Sequence, residues 1–291
     1  MRRLGAISLL VMSVLAGGGG DAHAPTTARP ARAVTVVAVG DIASCDNGVD
    51  SATALLARSL APRAVLTLGD NAYPNGSLRD YARCYAPTWG RFRARTHPSP
   101  GNHDYATPGA FGYFHYFGPR SPRPYYSFDL AGWHFVSLNS EIAHARGSTQ
   151  ERWLRRDLTR DSHACELLYW HRPRWSGGAH GSDPGMQALW QAAYDHGVEL
   201  VLAGHDHNYQ RFYRRDARGR RAPGRGVLEV VVGTGGAELY DPGRIAGRAA
   251  AAAAYGVLAL RLRPQGFGLR FVASGSRFRD ALGRQRCRRL R

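Results

Sequence analysis

Residues 198–208 read Val-Glu-Leu-Val-Leu-Ala-Gly-His-Asp-His-Asn, and the fold of this chain is decided by how that stretch is understood. The apolar run 198–203 carries one charge, Glu199, and stops at Gly204. A run of that length that ends in glycine reads as a buried strand stopping at a tight turn. His205 and His207, one residue apart at the mouth of such a strand, can each aim an imidazole at a metal ion. Taken alone, the pair is as well explained by two hydrogen-bonded core histidines. The remainder of the chain decides between these readings.

The same grammar recurs upstream. Residues 34–39 are β-branched and apolar and end in Gly40-Asp41; residues 64–68 end in Gly69-Asp70-Asn71. A helix is expected between them, over about residues 50–60, with Asp50 or Ser51 as its N-cap. Two strand-helix-strand steps in succession argue for an α/β layered fold with parallel strands. Residues 78–89 read as helical, and Gly101-Asn102-His103-Asp104 forms a third loop of the same kind. The aromatic and Pro-rich segment 105–126 lacks clear periodicity and reads as a long loop over the site. Residues 125–129 and 134–139 form a hairpin, Ser148 or Thr149 opens a helix to about Arg160, and residues 166–170 form a strand that ends at His171. A glycine-rich loop with His180, a helix over 184–196, and strands over 227–232, 255–262 and 267–273 complete the pattern. The small-residue run 249–254 reads as a spacer or short helix.

Five strand ends or loops thus deliver Asp41, Asp70, Asn102 with His103, His171, and His205 with His207. In an open α/β sheet such ends converge on one edge, where ligands bind. Hard oxygen donors mixed with imidazoles suit a dinuclear site of iron, zinc or manganese. The absence of any CxxC spacing excludes an all-cysteine structural zinc site.

In this order, Gly40-Asp41, Gly69-Asp70-Asn71-Ala72-Tyr73, Gly101-Asn102-His103-Asp104, Trp170-His171-Arg172-Pro173 and Gly204-His205-Asp206-His207 resemble the calcineurin-like metallophosphoesterase superfamily. Tyr73, three residues after Asp70, is the detail that resembles the purple acid phosphatases, especially the small, tartrate-resistant type. The likeness covers roughly residues 34–240. It implies a four-layer α/β/β/α sandwich of two mixed β-sheets flanked by helices. It further implies that Asp41, Tyr73 and His207 bind one metal, that Asn102, His171 and His205 bind the other, and that Asp70 bridges them. The expected pair is Fe3+ with Fe2+, Zn2+ or Mn2+. His103 and His180 would bind the phosphate and protonate the leaving oxygen, and Asp104 would orient His103. Where many members have Asp-x-His, this chain has Asp41-Ile42-Ala43, which fits the tyrosine-using subtype. His97, His115, His134, His144, His163 and His196 lie outside these motifs and read as packing or surface groups. Asn139 and Glu141 are near enough in sequence to a strand end to reach the cleft; Arg172, Arg174 and Arg211 could equally meet phosphate oxygens or solvent.

Composition bounds the rest. The 291 residues, 44% hydrophobic, suffice for a full core. All 39 basic residues are arginine and the formal net charge is +17, which attracts phosphorylated small molecules. No nucleic-acid motif accompanies the charge, so no specific nucleic acid is expected. Arg2-Arg3, a mostly apolar stretch over 4–15 and Ala22-His23-Ala24 read as a signal peptide over 1–24, cleaved near Ala24, with a flexible leader over 25–33. The protein is therefore expected to be exported, without a membrane span and as a monomer. The catalytic domain would span 34–275, followed by an Arg-rich tail over 276–291. In an oxidising compartment Cys45, Cys84, Cys165 and Cys287 suggest two disulfides with three possible pairings. Cys45–Cys84, flanking the rim of the site implied by the resemblance, and Cys165–Cys287, tethering the tail, are favoured. The function so implied is hydrolysis of phosphate monoesters. The same site acting on phosphodiesters or nucleotides, and a non-catalytic polyanion-binding protein, are the alternatives.

Overall fold

The computed structural model describes residues 33–45 and 48–288. The signal peptide over 1–24 and nearly all of the leader over 25–33 lie outside the described residues. In chain order the strands are β1 (Val34–Val39), β2 (Ala64–Leu68), β3 (Thr96–Ser99), β4 (Tyr126–Leu130), β5 (Trp133–Ser137), β6 (Glu166–Tyr169) and β7 (Leu200–Ala203). They continue with β8 (Tyr209–Phe212), β9 (Leu228–Val232), β10 (Arg248–Ala252), β11 (Gly256–Arg263), β12 (Gly266–Ala273) and β13 (Arg279–Arg286). The α-helices are α1 (Val49–Ser59), α2 (Leu78–Asp80), α3 (Ala86–Thr88), α4 (Asn102–Tyr105), α5 (Phe111–Phe117), α6 (Thr149–Arg160) and α7 (Gln187–His196).

Two mixed sheets form, ordered β13-β12-β11-β1-β2-β3 and β10-β8-β9-β7-β6-β5-β4. The alternation of side chains along each strand explains the layering. In β1, Val36 and Ala38 point between the sheets with Leu66, Leu167, Leu202 and Val230, whereas Val37 and Val39 point outward to Ala54 and Ala57 of α1. In the second sheet Val136, Leu168 and Val201 point outward to Leu154 and Leu158 of α6 and to Leu189 and Trp190 of α7. Strands buried on both faces read as continuous apolar runs, which is why these were legible in the sequence. The result is the expected α/β/β/α sandwich.

Several local expectations are corrected. Gly48, not Asp50 or Ser51, takes the N-cap position of α1, with no side-chain cap; Asp50 lies inside the first turn and accepts a hydrogen bond from Thr88. Segment 105–126 is not an open loop. It folds into α5 and two flanking 3-10 turns, and Tyr113 and Phe117, one helical turn apart, pack against the aromatic cluster of Tyr81 and Tyr85. Of the alanine run, residues 249–252 belong to strand β10, which pairs with β8: six small residues are too few to nucleate a helix, and β8 offers a ladder. Within the stretch expected as an Arg-rich tail, Arg279–Arg286 form β13, which pairs antiparallel with β12 along the sheet edge, and residues 289–291 lie outside the described residues. Both favoured disulfides, Cys45–Cys84 and Cys165–Cys287, are formed, and the latter anchors the end of β13. Strand β3 was not expected; as an edge strand it tolerates Pro98. No helix among the described residues is long and apolar enough to cross a membrane.

Candidate metal centre

Strands β1, β2 and β3 run parallel in one sheet and β5, β6, β7 and β9 in the other, so their carboxyl ends meet along one edge. Three of the site residues leave these strands in the left-handed region: Asp41 (φ 58°), Asp70 (φ 50°) and His205 (φ 72°). Non-glycine residues pay for that conformation, and it persists only where surrounding bonds fix it. Here they do. After β1 and β2 the two loops keep pairing, with Asp41 N–H donating to Gly69 O (3.0 Å) and Ile42 N–H to Asp70 O (2.9 Å). Tyr73 N–H then donates to Ala43 O at 2.9 Å. This ladder brings Asp41, Asp70 and Tyr73 side by side. The two sheets approach so closely that a Cβ on Gly204 would stand 2.6 Å from Asp41 Oδ2, and within the first sheet a Cβ on Gly101, after β3, would stand 2.2 Å from Asp70 Oδ1. Only glycine fits either position.

The side chains converge around Asp70. Its Oδ2 lies 3.3 Å from the Tyr73 hydroxyl and 3.2 Å from His171 Nε2. On the first side, Tyr73 Oη is 3.3 Å from Asp41 Oδ1 and 3.1 Å from His207 Nε2, and His207 Nε2 is 3.3 Å from Asp41 Oδ1. On the other, His171 Nε2 is 3.0 Å from Asn102 Oδ1 and 3.2 Å from His205 Nδ1. Nδ1 of His171 faces the Leu68 carbonyl at 2.9 Å and Nδ1 of His207 faces that of Glu238 at 2.7 Å. Donation there leaves each Nε2 lone pair directed into the site, the arrangement a metal-binding histidine needs. Ligand atoms of Asp70, His171 and His205 lie within 4.8 Å of one another, a span one ion can bridge. Every one of the seven residues expected to bind metal is thus in one constellation.

Its electrostatics fit a cation. Burial works against the charge on His171, but the carboxylate of Asp70 prevails and lifts its pKa to about 10. Burial would raise the Asp70 pKa; His171 and His103 reverse this and hold it well below the usual carboxylate range. Burial, with the charges of His171 and Arg172, drives His205 down to about 2, so its imidazole is neutral. Burial and the carboxylates of Asp70 and Asp41 push the Tyr73 phenol well above its ordinary value. A trivalent cation is the kind of neighbour that could draw off that proton.

His103 and His180 flank the cluster. His103 N–H donates to Asp70 Oδ1 (2.8 Å), its Nδ1 meets the Pro74 carbonyl (2.6 Å), and its Nε2 stands 4.0 Å from Asp70 Oδ2. His180 is exposed and stacks on His205 with ring centres 4.3 Å apart. Asp104 does not orient the His103 ring, a correction to the expected role. Its carboxylate is buried and turned back to accept from Gly101 N–H (2.9 Å), Asn71 Nδ2 (3.0 Å) and the Tyr81 hydroxyl (2.6 Å). It builds the loop and leaves the imidazole to Pro74. Burial and the charge of Asp70 raise its pKa to about 6.

Arg172 reaches the cleft, where Glu141 grips it through two hydrogen bonds (2.9 and 3.1 Å) and its Nη1 comes within 3.3 Å of His205 Nε2. Arg174 stacks on Trp175 and Arg211 forms a bidentate pair with Asp280 of β13, so both are committed elsewhere. Asn139 donates to the Tyr105 hydroxyl at 2.9 Å. Two contributors gave no separate signal in the sequence. Tyr240 stacks on His207 at 4.4 Å. Asp206, between the two histidines, accepts from His180 N–H at 2.9 Å and from the Ser176 hydroxyl. Ser176 Oγ accepts in turn from Gly178 N–H (3.0 Å) and Gln210 Nε2 (2.7 Å). This chain of bonds holds the His180 loop against the centre.

Comparison with known proteins agrees with this geometry. The chain is 27% identical over 241 residues to purple acid phosphatase 15 of Arabidopsis thaliana, a match covering 69% of this chain and 44% of the relative. The chain therefore spans less than half the length of that curated relative. Among solved structures, the purple acid phosphatase PPD1 from yellow lupin (Lupinus luteus) superposes with a TM-score of 0.67 over 87% of this chain and 54% of that one, at 18% identity. GAP50, the anchor in the inner membrane complex of Plasmodium, gives 0.68 over 89% of this chain and 90% of that one, at 12% identity. These two likenesses speak for the fold alone. The model of the calcineurin-like phosphoesterase family matches residues 34–209, most of the described chain, and the chain belongs to that family.

Proposed function

We propose that this protein is an exported dinuclear-metal phosphoesterase of the purple acid phosphatase type, hydrolysing phosphate monoesters. The observation that carries this reading is the shared carboxylate. Asp70 Oδ2 faces the Tyr73 hydroxyl at 3.3 Å and His171 Nε2 at 3.2 Å, so one residue serves two donor sets. Asp41, Tyr73 and His207 would hold one ion, and Asn102, His171 and His205 the other. A phenol, carboxylates and imidazoles suit iron in the first position and iron, zinc or manganese in the second. When bound, two such ions supply Lewis acidity and make water acidic enough to serve as the nucleophile.

The chain's own groups complete the chemistry. His103, with Nδ1–H fixed by the Pro74 carbonyl, turns Nε2 toward the cleft and as an imidazolium can donate to a phosphoryl oxygen. His180, at the exposed rim beside His205, is in reach of a leaving oxygen and can deliver its proton. Arg172, preorganised by Glu141, adds positive charge at the edge of the site. Asp104 contributes by shaping the loop that carries Asn102 and His103. No side chain is required as a nucleophile. Export is supported by two formed disulfides and by the N-terminal sequence pattern. The protein would act as a monomer on small phosphorylated substrates.

Metal analysis and a visible absorption spectrum of the purified mature protein test this directly. Two metals per chain, a charge-transfer band lost in Tyr73→Phe, and faster hydrolysis of p-nitrophenyl phosphate than of its bis ester are expected. Two metals without a band would demote Tyr73 from the ligand set; preference for the diester would overturn the substrate class. Failure to bind metal while retaining affinity for polyphosphate would replace the enzyme with a polyanion binder.

A further inference from the structure

A second group of metal-type side chains lies at the other end of the same sheet. His134 and Glu166 pair at the starts of β5 and β6, whereas His171 follows the end of β6. Around His134 gather Asp129 of β4, Asp157 and Asp161 from the last turn of α6, and His163 from the loop that follows. These residues are scattered over 35 positions and no motif connects them.

One atom from each of Asp129, His134, Asp161 and His163 lies within 4.8 Å of the other three. His134 Nδ1 is 2.7 Å from Asp129 Oδ1 and 3.8 Å from Asp161 Oδ1. His163 Nδ1 is 2.6 Å from Asp161 Oδ1 and 3.9 Å from Asp129 Oδ1. Four donors about 2.0–2.1 Å from a central zinc stand roughly 3.3 Å apart. The alternating short and long edges bracket that spacing, and the two remaining pairs also lie within 4.8 Å, so the four atoms are close enough together to surround one ion. The orienting groups are also present. His134 Nε2 meets Asp157 Oδ2 at 2.9 Å, and Asp157 Oδ1 accepts from the Ser127 hydroxyl at 3.0 Å. A histidine that donates one ring N–H to a carboxylate presents the other nitrogen as a ligand, which is the usual support of a zinc-bound imidazole.

Charge placement points the same way. The C-terminal end of a helix disfavours anions, yet Asp157 lies in the last turn of α6 and Asp161 closes it, with Arg160 between them. A divalent cation offsets the two carboxylates. One wall is open, since Asp129 is exposed, while His134 is buried, giving an ion a route in. The site would join the β4–β5 hairpin to the end of α6 and to the loop before β6. That loop contains Cys165, whose carbonyl accepts from His134 N–H at 3.0 Å and whose sulfur anchors Cys287.

We propose that Asp129, His134, Asp161 and His163 form a structural zinc-type site, distinct from the phosphoesterase centre. With no inward donor from the dinuclear cluster, it stands whether or not the proposed enzymatic activity does. The full mature protein, its first centre already loaded, would be titrated with Zn2+ while zinc content and melting temperature are measured. The wild type is expected to take one zinc more than either His163→Ala or Asp129→Asn, and to gain a zinc-dependent rise in melting temperature that both variants lack. Asp157→Asn should keep the stoichiometry and weaken the affinity about 10–100-fold. Hydrolytic activity should be unchanged in all three. Equal zinc content and equal thermal response in the wild type and Asp129→Asn would overturn the proposal and leave an ion-paired histidine cluster. Because Asp129 is exposed, that variant decides the matter even where His163→Ala does not fold.

Discussion

Asp206→Asn isolates the residue whose hydrogen bonds join the 204–208 turn to the His180 loop. The carboxylate accepts from His180 N–H through Oδ1 and from the Ser176 hydroxyl through Oδ2. Ser176 Oγ already accepts two hydrogen bonds, from Gly178 N–H and Gln210 Nε2, and so has no lone pair left. An asparagine is the same size but cannot satisfy both partners. With its amide toward Ser176, a donor meets a saturated oxygen; flipped, a donor meets His180 N–H. One buried polar group is left unmet either way, at a cost of about 1–3 kcal/mol. If the loop stays in place, the cost appears as lost stability, at about 2–4 °C of melting temperature per kcal/mol for a chain of this size. If the loop yields, the population with His180 beside His205 falls by a factor of about 5 to 150, and kcat falls with it. Metal content should not change, since neither donor set includes Asp206. Steady-state kinetics on p-nitrophenyl phosphate, melting and metal analysis of the same preparation read all three. Adding Ser176→Ala removes the saturated hydroxyl, so the double variant should be less damaged than the two single losses added together. Unchanged kcat and melting temperature in Asp206→Asn, or a loss of bound metal, would refute the reasoning.

Replacing Cys165 with Ala and Cys287 with Ser opens a link between residues 122 apart, which the chain-entropy model values at about 5 kcal/mol. Denaturant unfolding should lose most of that, with amide exchange rising first in β13, whose outer face is exposed; a change under about 1 kcal/mol would contradict it. His134 adds a pH dependence in zinc-free protein. Burial opposes its charge, but Asp157 and Asp129 raise its pKa from 6.5 to about 9. A raised histidine stabilises fully below its unfolded value and loses that contribution as pH climbs through the folded value. Solvent access at Asp129 screens the pair, leaving about 1–3 kcal/mol. The stability gap between wild type and His134→Gln should therefore be widest below pH 6.5 and shrink through pH 9, and a gap that is flat with pH would rule this out.

The candidate metal centre was legible because the residues that converge on it share a local rule. Asp41, Asp70 and His205 each follow a glycine that follows a buried run, and a run buried on both faces needs no partner to be recognised. The elements that were missed depend on partners. Strand β10 is a ladder for β8, β13 is a ladder for β12, and Tyr113 with Phe117 becomes a helix face only against Tyr81 and Tyr85. Nothing within those segments states what they will meet. The cluster around His134 is the extreme case, since its ligands come from a hairpin, a helix end and a loop.

Asp104 shows the limit from within a motif that was recognised. Its neighbour His103 faces the cleft, and the family resemblance implied that Asp104 orients it. In a helical first turn, however, the side chain at the third position points back to the N-terminus and meets the free N–H groups there. Gly101 N–H lies 2.9 Å from Asp104 Oδ2, and the Tyr81 hydroxyl, just after α2, donates to Oδ1 at 2.6 Å. The same turn aims His103 the other way, toward Pro74 and Asp70. Backbone geometry, rather than the pairing of acid and base in the sequence, therefore sets what each residue does. Asp104 sustains the site by holding the loop that presents Asn102 and His103, which leaves the proton transfers proposed for this site to His103 and His180.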